Sequence, residues 1–68
     1  MNTRLLKSKM VLCDDERFVS AISALLDISR QTASAKLNGE SDFNQSEIKL
    51  ISDRYQLTPD DIQNIFLN

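Results

Sequence analysis

Histidine and tryptophan are absent from these 68 residues, and cysteine, glycine and proline occur once each. Without histidine the chain lacks the commonest metal ligand and the commonest general base. With Cys13 alone, no intrachain disulfide and no multi-thiolate metal site can form. Asp14 and Asp15 beside it oppose a thiolate, so Cys13 reads as a buried small hydrophobe. No apolar run approaches a membrane span, and the opening M-N-T-R-L-L-K-S-K is too poor in apolar residues for a secretory signal. The carboxylates fall mainly at helix starts, and nothing present assembles a nucleophile–base pair. Neither an enzyme nor a cofactor is expected. These absences imply a reducing, cytoplasmic setting.

What is there reads as one small domain. A core of this size rarely supplies more than about 3–5 kcal/mol. With no staple available, tight helix packing remains, helped by association with a second chain. The net charge of −2 hides a polarity along the chain. Residues 1–39 carry Arg4, Lys7, Lys9, Arg17, Arg30 and Lys36 against Asp14, Asp15, Glu16 and Asp27, a balance of +2. Residues 40–68 carry Lys49 and Arg54 against Glu40, Asp42, Glu47, Asp53, Asp60 and Asp61, a balance of −4. Steering depends on the field near the contact more than on the total. A polyanion therefore remains a possible partner for the first half.

The apolar spacing is helical throughout, with no alternating strand pattern, repeat or linker. Leu5, Leu6, Met10 and Cys13 mark a first helix of about residues 3–12, with Asn2 or Thr3 as N-cap; Lys7 and Lys9 lie off that stripe as solvated surface. Asp14 or Asp15 is expected to cap a second helix, about 15–26, with Glu16 in its first turn and Phe18, Ile22, Leu25 and Leu26 on one face. Ser29 caps a third helix over 29–38, closed by Gly39. Asn44 and Glu47 form a capping box before Ile48, Ile51 and Tyr55, giving a helix over 45–54. Thr58-Pro59-Asp60-Asp61 opens a fifth helix, 59–66, with Leu57 and Ile62 as a staple. The fold class is thus all-α, a compact five-helix domain. Only about three or four residues separate the second and third helices, the spacing of a helix-turn-helix.

The third helix carries the functional expectation. At about 100° per residue, Ala33 and Leu37 point inward, while Gln31, Ser34, Ala35 and Asn38 point outward with Thr32 at the edge. Arg30 sits in the first turn. That face holds amides, hydroxyls and a methyl, and no acid. Such an inventory suits a DNA major groove: Gln and Asn pair with adenine, Arg with guanine, Ser and Thr with bases or phosphates, and Ala with a thymine methyl. Lys36 has two readings, a phosphate contact or an aliphatic stem lying over the core with its ammonium in water. Phe43, Tyr55 and Phe66 fall on apolar stripes and are expected in the core.

The run I-S-R-Q-T-A-S-x-K-L-N-G at residues 28–39, followed by S-D-F-N-Q-S-E-I-x-x-I at 41–51, resembles the λ-repressor-like helix-turn-helix family, the phage Cro and repressor group. The likeness covers most of the chain. It implies a sequence-specific regulator that binds a double-stranded DNA operator, commonly as a dimer on a near-palindrome. By position, Arg30, Gln31 and Ser34 or Ala35 would read bases, and Asn38 and Ser41 would contact phosphate. Ser29, Thr32 and Lys36 complete the candidate set. The chain departs from the family pattern in four places. Val19 stands where a phosphate-clamping glutamine is common, Ser23 where an alanine is usual, and Asp27 where the turn usually has glycine. Glu40 and Asp42 occupy positions that relatives often make basic. Asp27 can hold a left-handed conformation at modest cost. The other changes imply weaker phosphate binding and leave room for a different partner, a basic phage repressor protein bound in an antirepressor role. The C-terminal D-D-I-Q-N-I-F-L-N either closes the core or leaves Leu67 and Phe66 to build a homodimer contact.

Overall fold

The computed structural model describes residues 1–67. Five helices account for its regular structure: α1 (Thr3–Asp14), α2 (Phe18–Leu26), α3 (Arg30–Leu37), α4 (Gln45–Tyr55) and α5 (Pro59–Phe66). No strand occurs among the described residues, and no helix is long and apolar enough to cross a membrane. The all-α, five-helix reading is what the chain adopts.

Local chemistry sets most of the helix ends. The Asn2 side chain accepts from the Leu5 N–H at 3.1 Å, and the Asn2 N–H donates to the Ile65 carbonyl at 2.7 Å, tying α1 to α5. The Asn44–Glu47 and Thr58–Asp61 capping boxes both form, with Pro59 in the first turn of α5. The Thr58 backbone N–H, aided by Lys9 at 3.3 Å, holds the Asp61 carboxyl below the usual carboxylate range. At their C-termini α2, α3 and α4 close by the same device. The N–H groups of Ile28, Glu40 and Leu57 reach back to the carbonyls of Ser23, Ala35 and Ser52 at 3.1, 2.9 and 2.9 Å. A left-handed residue makes each reversal: Asp27 at φ 55, Gly39 at φ 82 and Gln56 at φ 53.

The core draws on every helix. Leu6, Met10, Ile22, Ala33, Leu37, Ile51 and Ile65 are buried, joined by Phe43 from the α3–α4 loop and Tyr55. Phe43 meets Phe66 edge to face, centroids 5.8 Å apart. The three aromatics lie in or against the core, as their spacing suggested.

Two expectations fail at the α1–α2 junction. First, α1 runs on to Asp14, and α2 begins only at Phe18. Neither Asp14 nor Asp15 caps α2; Arg17 occupies that position without a side-chain bond, and Glu16 lies outside the helix. Asp15 instead turns the chain at φ 55. Second, Cys13 is exposed. The inward line of α1 advances in steps of four, from buried Leu6 and Met10 to half-buried Asp14, which swings Cys13 off to one side. Asp14 then accepts from Arg54 at 2.9 Å and from the Tyr55 hydroxyl, joining the ends of α1 and α4.

Candidate nucleic-acid interface

The surface built around α3 begins with the turn before it. Residues 27–29 separate α2 from α3, and the turn is held twice at Ser23. The Ser23 carbonyl accepts from the Ile28 N–H, and the Ser23 hydroxyl donates to the Ile28 carbonyl at 2.6 Å. Serine in this position therefore adds a side-chain tie that alanine would lack. Asp27 adopts φ 55, ψ 49, the left-handed conformation that the reversal needs.

On α3 itself, Ala33 and Leu37 are 0% and 2% exposed and anchor one side against α2, the helix it packs on most extensively. The opposite side is open. Arg30, Gln31, Thr32 and Asn38 are exposed, Ser34 and Ala35 are half-buried, and Ser41 is exposed in the loop beyond Gly39. Ser29 is committed locally: its hydroxyl accepts from the Thr32 N–H at 3.1 Å and donates to the Thr32 hydroxyl at 2.9 Å. Gln31 and Arg30 have no side-chain partner among the described residues. Their donors and acceptors remain available to a ligand.

Lys36 sits apart from this set. Its ammonium donates to the Asp42 carbonyl at 2.8 Å and to Glu47 at 3.1 Å, and lies 5.7 Å from the centre of the Phe43 ring. Its side chain is 12% exposed. Both sequence readings put the ammonium at the surface; it is instead turned inward, clamping α3 to the loop and to the capping residue of α4. The same Glu47 oxygen accepts from the Asn44 N–H at 2.9 Å, so the α4 cap and the α3 clamp share one carboxylate.

Two basic residues missed by the sequence reading lie against this surface. Lys7, Arg17 and Arg30 line one groove between α1, the start of α2 and α3, together with Glu16 and Asn38. Lys7 stands 5.7 Å from the ring of Phe18, the first residue of α2. No side chain caps that helix start, and the N–H groups of Phe18, Val19 and Ser20, residues that also line the groove, have no hydrogen-bond partner among the described residues. Helix N-termini with free N–H groups favour anions, and three cations around this one outweigh the Glu16 carboxylate beside it. The sequence offered only a weak signal: Lys7 is off the apolar stripe of α1, and its nearness to Arg17 and Arg30 is purely tertiary.

No protein family, no curated protein and no solved structure matches this chain. Its own geometry carries the functional argument. What that geometry defines is an all-α domain presenting a short polar helix beside a cationic groove.

Proposed function

We propose that this chain is a sequence-specific DNA-binding regulator of the phage Cro and repressor kind, with α2 and α3 as its helix-turn-helix. One observation carries the reading: the open face of α3 is rich in uncharged donors and acceptors, and it lies beside the groove of Lys7, Arg17 and Arg30. In this reading α3 enters the major groove and its first turn, Arg30 and Gln31, meets base edges. Thr32, Ser34, Ala35 and Asn38 line the rest of the contact, with Ser41 on the backbone. The start of α2 rests on the adjoining phosphates, where free N–H groups and Lys7 and Arg17 take over from the clamp that Val19 cannot make. Occupying an operator would block promoter access, in the cytoplasm of a bacterial host and as a homodimer. The proposal needs no cofactor and no catalysis. Selection of bound duplexes from a random pool tests it. An enriched palindrome is the expected result, and recovery of unrelated sequences would refute it.

A second reading is supported by the neutralised Lys36 and by Glu40 and Asp42 in the loop after α3. A domain with acids so placed could cover the basic DNA-facing surface of a phage repressor and act as an antirepressor. Salt titration separates the two. Duplex affinity should fall with a log–log slope of about −0.9 per phosphate contacted. Absence of duplex binding at low salt, with tight binding to a basic repressor, would favour the second.

A further inference from the structure

Ser23 lies in the last turn of α2, and its hydroxyl departs from the usual habit of a helical serine. A serine inside a helix ordinarily bonds back to the carbonyl four residues before it. The Ser23 hydroxyl reaches forward instead, to the Ile28 carbonyl at 2.6 Å, across the end of its own helix. The Ser23 carbonyl meanwhile accepts from the N–H groups of Asp27 and Ile28. One residue thus holds both the N–H and the C=O of Ile28. The turn needs such a hold. Asp27 stands at φ 55, ψ 49, and among the described residues its side chain has no hydrogen bond or ion pair to keep it there. A strained backbone conformation persists only where the surroundings over-determine it.

We propose that Ser23 is a positioning residue for base recognition: its hydroxyl sets the direction in which α3 leaves the turn. The inference rests on the DNA-binding reading above for its purpose. The peptide group is planar, so fixing the Ile28 carbonyl also fixes the Ser29 N–H and with it the start of α3. Ser29 then caps that helix through the Thr32 N–H, and Arg30 and Gln31 follow at once. Ala33 and Leu37 press α3 onto α2, but apolar contact is non-directional and sets depth rather than angle. The hydrogen bond from Ser23 is directional and supplies the angle. Base edges are read only in close hydrogen-bond geometry, whereas attraction to the phosphates tolerates a small rotation. Losing the hydroxyl should therefore cost discrimination and spare non-specific binding.

Duplex binding by Ser23→Ala provides the test, with the selected operator and a scrambled duplex each measured at several salt concentrations. The ratio of operator to scrambled affinity should fall about tenfold, the share of one bidentate base contact. Scrambled affinity and salt slope should stay as in wild type, because the phosphate contacts persist. Adding Asp27→Gly to Ser23→Ala should recover most of the ratio, since glycine holds the left-handed conformation without strain. An unchanged ratio, equal losses on both duplexes, or no recovery with Asp27→Gly would overturn the proposal. Residual dipolar couplings of the free protein give a readout that needs no DNA. Ser23→Ala should turn α3 against α2 while leaving α4 and α5 in place. If α3 turns but neither protein binds any duplex, the DNA reading fails and Ser23 still aims the helix. If wild type selects an operator and α3 does not turn, the DNA reading stands and the role given to Ser23 fails.

Discussion

Gln56 holds φ 53 at the end of α4, a conformation that costs a residue with a β-carbon about 1–2 kcal/mol. Asp27 does the same at the end of α2, where a short polar side chain tolerates it better. The two positions differ in what they serve: Gln56 only joins α4 to α5, whereas Asp27 aims α3. Gln56→Gly should therefore raise stability by about 0.5–1 kcal/mol, after the greater unfolded-state entropy of glycine is set against the relieved strain. Urea unfolding with an unchanged slope would show it. A second residue-scale expectation concerns contact with bases. Arg30→Ala or Gln31→Ala should relax discrimination at one operator position by about 1–3 kcal/mol while leaving the others as they were. Affinities for a set of single-base operator variants would reveal this. Uniform losses across the set would assign both side chains to the backbone instead.

At the scale of elements, how much could be read in advance depended on how far apart in sequence the partners lie. The boxes at Asn44–Glu47 and Thr58–Asp61, the start of α3 at Ser29 and its end at Gly39 were legible, because each is decided within three or four residues. The end of α1 was not. Asp14 has the look of an N-cap, but its partners are Arg54 and Tyr55, some forty positions away, and they keep α1 helical up to it. Lys36 was misjudged for the same reason, since only the fold brings it to Glu47. The contact between α1 and α4 leads to a pH prediction. Burial, then the hydrogen bond to Asp14 and its negative charge, push the Tyr55 hydroxyl above the ordinary tyrosine value of 10.0. A raised pKa on an acid means that the neutral form is favoured in the fold. The stabilisation is whole below pH 10 and is lost as pH rises through the folded value. Tyr55 is the only tyrosine, so phenolate absorbance reports it alone. Phenolate should appear only as helical circular dichroism disappears, well above pH 10. Ionisation near the ordinary value in a folded chain would show that the latch to Asp14 is not closed in solution.

For the molecule as a whole, folding sorts the charges that the sequence leaves mixed. Three ion pairs, Lys9–Asp61, Lys36–Glu47 and Arg54–Asp14, occupy three of the eight cations. Arg4, Lys7, Arg17, Arg30 and Lys49 are left without a carboxylate partner among the described residues, and three of these five line the single groove beside α3. The groove beside α3 thus carries three cations against the single carboxylate of Glu16 although the chain is acidic overall, and local field governs approach. This distribution makes the cations unequal in a way that composition does not. Under the DNA reading, Lys7→Ala and Arg17→Ala should each lower the salt slope of duplex binding by about 0.9, the share of one phosphate. Lys36→Ala should leave that slope unchanged and destabilise the fold instead, because it leaves Glu47 without its cation and frees the loop from α3. Titrating the three variants on one duplex, alongside their urea midpoints, separates these roles. A slope that falls for Lys36 and holds for Lys7 would place the phosphates on the far side of α3 and move the proposed docking away from the start of α2.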